Sequence, residues 1–239
     1  MRRLALALLP LAACAIAQAR AADELVITRY PGGGDIPYIL TTAGDGARPT
    51  HAVVLMPGGS GALNPRLENG QLAFGFKGNF LIRSRGLFAD ARFVAASSDA
   101  NSNPERMMAI VGDLERRFGK IAVYIAGTSR STETTMKLAQ PLDGRVAGFI
   151  HSSSMNPIAS FDPRGFRSRH LIVTHKDDVC RVTRAGSSLS SAHSYRTELI
   201  VMEGGKSVGE ECEAFSHHGY NGIERETVAK IKAWMLAGR

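Results

Sequence analysis

The sequence predicts an α/β fold built on a mostly parallel sheet. Short unbroken apolar runs of strand length recur along the chain, helical patterns lie between them, and small-residue turns end several of the runs. Unbroken hydrophobicity is what a strand covered on both faces needs, and strands alternating with helices imply a sheet with helices on both sides.

Residues 25–28 (LVIT) and 36–40 (IPYIL) flank Pro31-Gly32-Gly33-Gly34-Asp35, which predicts an antiparallel hairpin. No helix follows this glycine run and no Lys-Ser/Thr ends it, so it reads as a turn rather than a phosphate loop. Residues 51–56 (HAVVLM) form a buried strand that ends in Pro57-Gly58-Gly59-Ser60-Gly61. A helix is expected over 79–89 and a strand over 92–97. Pro104 then opens an amphipathic helix through Phe118. Residues 121–126 (IAVYIA) are a strand that runs into Gly127-Thr128-Ser129-Arg130-Ser131, with a helix over 132–138. Strands follow at 146–151, 171–174 and 199–202. A last helix over 226–236 places Val228, Ile231, Trp234 and Met235 on one side. No repeat or linker divides residues 22–239, so they read as a single domain.

With 44% hydrophobic, 21% charged and 7% aromatic residues among 239, the composition excludes a coiled coil, a collagen-like chain and a disordered one. The net charge of +7 comes from scattered Lys and Arg without a basic run, so no nucleic-acid partner is expected. Residues 1–21 read as a signal peptide. Arg2 and Arg3 precede an apolar stretch from Leu4 to Ala13, and Ala17-Gln18-Ala19 and Ala19-Arg20-Ala21 both fit a cleavage site. The stretch is too short to span a bilayer, and no other segment is a transmembrane candidate. The chain is therefore expected to be exported, periplasmic or secreted. The alternative is a lipoprotein, with Leu11-Ala12-Ala13-Cys14 as a loose lipobox and Cys14 as the anchor. Export leaves Cys180 and Cys212, which in an oxidising compartment read as one disulfide, with two buried free thiols as the alternative.

The chemistry is expected at strand ends, where open α/β sheets bind their ligands. Gly127-Thr128-Ser129-Arg130-Ser131 is a strand-to-helix turn with serine at its apex, matching G-x-S-x-G except that Ser131 replaces the second glycine. Such a turn exposes the serine hydroxyl; the alternative is an ordinary helix cap. The glycine-rich loop at 57–61 can aim N–H groups at a developing oxyanion, which makes the backbone N–H groups of Gly59 and Arg130 the candidate oxyanion hole. Ser60 is the rival nucleophile. After the strand at 171–174 comes His175-Lys176-Asp177-Asp178-Val179-Cys180, where Asp178 is preferred to Asp177 as the carboxylate that orients a histidine. His175, Asp178 and Cys180 could instead be metal ligands, but a disulfide would remove the thiolate, so no metal site is assigned. His218, before Gly219-Tyr220, completes the chain order Ser…Asp…His, with His217 as the fallback.

These segments, together with Met56-Pro57-Gly58-Gly59 and residues 78–85 (GNFLIRSR), resemble the α/β-hydrolases, and more narrowly small bacterial members of the dienelactone-hydrolase-like or uncharacterised exported branch. The resemblance covers residues 22–239. It implies an eight-stranded sheet, a Ser129–His218–Asp178 triad, a small-molecule acyl substrate, a carboxylic ester in the first instance, and no cofactor. The same triad also serves acyltransferases and peptidases, and a non-catalytic binding protein of this fold is the remaining alternative. Only residues 62–78 and 155–166 are long enough to cover the pocket, so the lid is expected to be minimal.

Overall fold

A computed structural model of the chain describes residues 21–44 and 47–238, so residues 1–20 of the expected signal peptide, Cys14 among them, lie outside the described residues. The first hairpin forms where the glycine turn predicts it: β1 (Ala22–Arg29) pairs antiparallel with β2 (Asp35–Thr42). The continuous apolar run becomes β3 (His51–Met56). A short hairpin follows, β4 (Arg66–Glu68) and β5 (Gln71–Ala73), and then β6 (Phe93–Ser97). The remaining strands are β7 (Ala122–Thr128), β8 (Gly148–Ser152), β9 (Arg169–His175) and β10 (Glu198–Met202). Eight of the ten form one sheet in the order β1-β2-β6-β3-β7-β8-β9-β10, and it is parallel from β6 to β10. Strand β2 runs antiparallel to both of its neighbours.

Among the described residues, six α-helices accompany the strands: α1 (Phe80–Arg83), α2 (Arg85–Phe88), α3 (Pro104–Phe118), α4 (Ser131–Ala139), α5 (Ala185–Tyr195) and α6 (Glu224–Leu236). The side chains of β3 show why its run is unbroken. Val54 and Met56 pack with Met107, Ile110, Val111 and Leu114 of α3 and Leu138 of α4. Val53 and Leu55 pack on the opposite face with Phe80, Phe88, Val228, Ile231 and Trp234 of α1, α2 and α6. Alternate side chains point to opposite faces, so a strand in the middle layer is apolar at every position.

The single helix expected over 79–89 is two four-residue helices that meet at Ser84. The Arg85 guanidinium takes the Ile82 carbonyl at 2.8 Å, which a continuing α-helix would give to the Gly86 N–H. Helix α3 starts as expected, with the Asn103 side chain accepting from the Glu105 and Arg106 N–H groups and Pro104 behind it.

Two buried histidines are neighbours on β8 and β9, His151 facing Thr135 of α4 and His170 facing the Phe161 and Phe166 rings. Thr135 Oγ1 donates to Thr132 O, so the His151 Nδ1–H donates to Thr135 Oγ1 at 2.7 Å. His151 Nε2 then accepts from the His170 Nδ1–H at 3.1 Å, which leaves the buried His170 Nε2 with no hydrogen-bond partner. Burial holds both rings below the ordinary histidine value, His151 well below it and His170 down to about 4, with Asp143 opposing the shift of His170. In the unfolded chain these rings protonate near the ordinary value of about 6.5, so as pH falls from there toward 4 the unfolded state takes up protons first and stability is lost. At pH 4.5 the loss from His170 is on the order of 2–3 kcal/mol relative to pH 7. His170→Asn keeps a donor for His151 and removes the titration. Urea unfolding at both pH values is expected to show a smaller pH difference for this variant, and an unchanged difference would contradict the assignment.

Candidate active site

The site is built at the carboxyl ends of β3, β7 and β9. Between β7 and α4 the chain turns so sharply that Ser129 takes a left-handed backbone, φ +54°, a strained conformation for a residue with a side chain. The surroundings hold it there. The Ser129 N–H donates to Ser152 O at 3.0 Å, and the Thr132 N–H and hydroxyl both donate to Ser129 O. A Cβ at Gly127 would lie 2.5 Å from Ser131 O, so the approach of strand and helix requires glycine at the first small position of the turn.

Ser131, the departure from G-x-S-x-G, is accommodated by turning its side chain inward. Its buried hydroxyl accepts from the Thr128 N–H at 2.8 Å and shares its proton between Met56 O and Thr128 O, both at 2.9 Å. The extra hydroxyl thus ties the serine turn to the end of β3. Beyond β3, a Cβ on Gly58 would lie 2.9 Å from the Ser129 Cβ, and one on Gly59 (φ +62°) would lie 2.7 Å from the Phe76 ring. Glycine is what lets this loop lie against the serine. Among the described residues, neither the Gly59 N–H nor the Arg130 N–H donates to a protein acceptor.

Asp178 and His218 come together from turns 40 residues apart. The His218 Nδ1 lies 3.0 Å from Asp178 Oδ2 and 3.0 Å from Thr183 Oγ1. The Asp178 Oδ1 accepts from the Cys180 N–H, and Thr183 Oγ1 donates to Oδ2 at 3.3 Å. Both the carboxylate and the imidazole are buried. His218 sits on a 3₁₀ turn, His217–Gly219, whose start is capped by the Ser216 hydroxyl. The Ser153 hydroxyl donates to His218 O at 2.6 Å, and the Ser153 N–H donates to the buried Tyr220 hydroxyl, which itself donates to Val173 O.

Ser129, Gly59 and His218 line one cleft of about 450 Å³, with Phe76, Phe80 and Phe215 among its walls. No hydrogen bond joins Ser129 Oγ to His218. Such bonds are often loose without substrate and tighten in the complex. The rival candidates lie elsewhere: Ser60 is exposed and does not line the cleft, Asp177 is exposed, and His217 stacks on His175 with ring centroids 4.5 Å apart. His175, Asp177 and His217 offer ligand atoms within 4.8 Å of one another. The His175 nitrogens are already engaged, however: Nδ1 accepts from the Asp177 N–H and Nε2 donates to Gly204 O.

Cys180 and Cys212 form a disulfide, as their pairing in the sequence predicts. It fastens the turn that carries Asp178 to the loop that leads into His218. Closing a 32-residue separation contributes about 3–4 kcal/mol in the chain-entropy account. Thr183, Ser153 and Tyr220 were not anticipated as partners of the site. They act through hydroxyls and a backbone carbonyl far apart in sequence, and only the His218-Gly219-Tyr220 string marked one of them.

No protein-family model matches the chain, and no curated protein matches it. Solved structures do. The chain is similar to Est1E from Butyrivibrio proteoclasticus, at 12% identity over 89% of this chain and 98% of that one, with a TM-score of 0.62. It is also similar to a cold-adapted esterase from an Arctic intertidal metagenomic library, at 11% identity over 93% and 97% of the two chains, with a TM-score of 0.62. A third is XC6422 from Xanthomonas campestris, described as an α/β serine hydrolase without a lid, at 10% identity over 87% and 94%, with a TM-score of 0.56. The eight-stranded, mostly parallel sheet, the helices on both its faces and these likenesses together show that the chain has the α/β-hydrolase fold.

Proposed function

We propose that the protein is a serine hydrolase that cleaves a carboxylic ester through an acyl-enzyme, with Ser129 as nucleophile, His218 as base and Asp178 as its orienting carboxylate. The observation that carries this reading is the buried Asp178–His218 pair, which opens on the cleft that Ser129 enters from a strained turn. Asp178 holds Nδ1 protonated, which leaves His218 Nε2 to take the Ser129 proton as the oxygen attacks the substrate carbonyl. The unengaged N–H groups of Gly59 and Arg130 are suited to receive the oxyanion. Protonated His218 then gives its proton to the leaving alkoxide, and water activated by the same ring releases the acid. Glycines and the rings of Phe76, Phe80 and Phe215 share the walls with the polar Asn79, Thr128 and Glu213, which suits a small acyl group with a polar end.

The same reading places the protein outside the cytoplasm, which the disulfide supports. Among the described residues no helix is long and apolar enough to cross a membrane. The binding-protein alternative rests on Ser131, which stands in place of the usual glycine and turns its hydroxyl inward onto Met56 O.

The test is a rapid-mixing experiment with p-nitrophenyl acetate and butyrate. A burst of p-nitrophenolate of about one equivalent per enzyme, followed by steady turnover to free acid, is expected for a two-step acyl transfer. Transfer of the acyl group to an added alcohol in preference to water would make the protein an acyltransferase. Release no faster than in buffer, from folded protein, would overturn the proposal.

A further inference from the structure

Arg83 ends α1 behind the cleft wall, with its side chain 15% exposed and outside the cleft lining. Its guanidinium collects three backbone carbonyls from two separate segments. Nη1 donates to Gly78 O at 2.6 Å and to Ala214 O at 3.0 Å, and Nη2 donates to Gly219 O at 2.6 Å. Nε donates to Glu224 Oε1 at 3.0 Å, and the Phe215 ring centroid lies 5.2 Å from the guanidinium carbon.

Gly78, Ala214 and Gly219 all line the cleft; Ala214 precedes the turn that carries His218, and Gly219 ends it. That turn is folded so tightly that a Cβ on Gly219 would run into the Ala214 carbonyl. Carbonyl dipoles aimed at one point repel one another unless a donor sits between them, and the planar guanidinium holds its donors in a fixed fork that serves all three. Glu224 balances the charge, so the contribution of Arg83 lies in geometry more than in the field it adds to the cleft.

Taking the serine-hydrolase reading as its basis, we infer that Arg83 is a positioning residue that fixes the His218 turn against α1, and so sets how His218 Nε2 faces Ser129. A displaced base loses rate because near-attack geometry is lost, whereas the binding of a small ester in the cleft is largely kept.

The experiment compares wild type, Arg83→Ala and Arg83→Lys. It reads kcat and KM on p-nitrophenyl acetate below the melting temperature, the rate of labelling by a fluorophosphonate, and the effect of added methylguanidinium. Arg83→Ala is expected to lose about 100-fold in kcat, with KM changed by less than about threefold. Labelling should slow in parallel, and methylguanidinium should restore part of the rate to this variant while leaving wild type unchanged. If the alanine variant does not fold, Arg83→Lys decides, with a lower kcat at near-constant KM as the supporting result. Folded variants with wild-type kcat, or a loss that appears only as lower stability, would overturn the inference while the wild type stays active and labelled at Ser129. A wild type that neither turns over nor labels would instead overturn the hydrolase reading and this inference with it.

Discussion

Ser129→Ala is expected to lower the kcat for short esters by about 10⁶ while leaving the thermal midpoint nearly unchanged, because removal of a triad nucleophile leaves only the catalysis supplied by binding and the oxyanion donors. The substitution removes one oxygen at the cleft surface. The backbone bonds that hold the turn, from the Ser129 N–H to Ser152 O and from Thr132 to Ser129 O, do not involve it. Ser60→Ala is the control: its hydroxyl is exposed and makes only a 3.4 Å contact with the Ala62 N–H. Turnover that survives Ser129→Ala and disappears in Ser60→Ala would move the nucleophile to the glycine loop.

Asp178→Asn is expected to cost about 10⁴ in kcat with little change in fold. The new amide can still accept from the Cys180 N–H through its oxygen, which leaves its NH₂ group facing His218 Nδ1. Two donors cannot share that contact, so the ring is driven to the tautomer with its proton on Nε2 and can no longer accept from Ser129. Thr183→Val should cost much less, since Thr183 only supplements the carboxylate at Nδ1. Steady-state kinetics on both variants check the ranking; a larger loss in Thr183→Val than in Asp178→Asn would contradict it.

The parts of the fold that sequence patterning captured are those governed by burial on both faces or by a cap. Strands β3 and β7 read as unbroken apolar runs because helices cover both sides, and α3 carries its start signal in Asn103 and Pro104. Helix α5 was missed because it packs through Ala185, Ser188 and Ser191, while its one large apolar side chain, Leu189, is 48% exposed. No hydrophobic period exists there to be read. The β4–β5 hairpin was also missed, although Asn69-Gly70, both at positive φ, is a strong turn signal.

The candidate site shows the same division. Ser129, Asp178 and His218 were legible because each follows a recognisable strand and their order is informative. The contacts of Arg83, Ser153 and Thr183 were not, because they hold backbone carbonyls or share a ring nitrogen with partners brought near only by the folded sheet. The disulfide was legible from cysteine count alone, whereas its attachment to both the acid turn and the histidine loop is visible only in three dimensions.

The most direct measurement is labelling of the folded, unreduced protein with a fluorophosphonate, followed by digestion and mass spectrometry of the peptides. The account predicts a single adduct, placed on Ser129, absent in Ser129→Ala and formed much more slowly in Asp178→Asn. Folded protein that takes up no label, or carries it on a serine outside the Gly127–Ser131 turn, would contradict it.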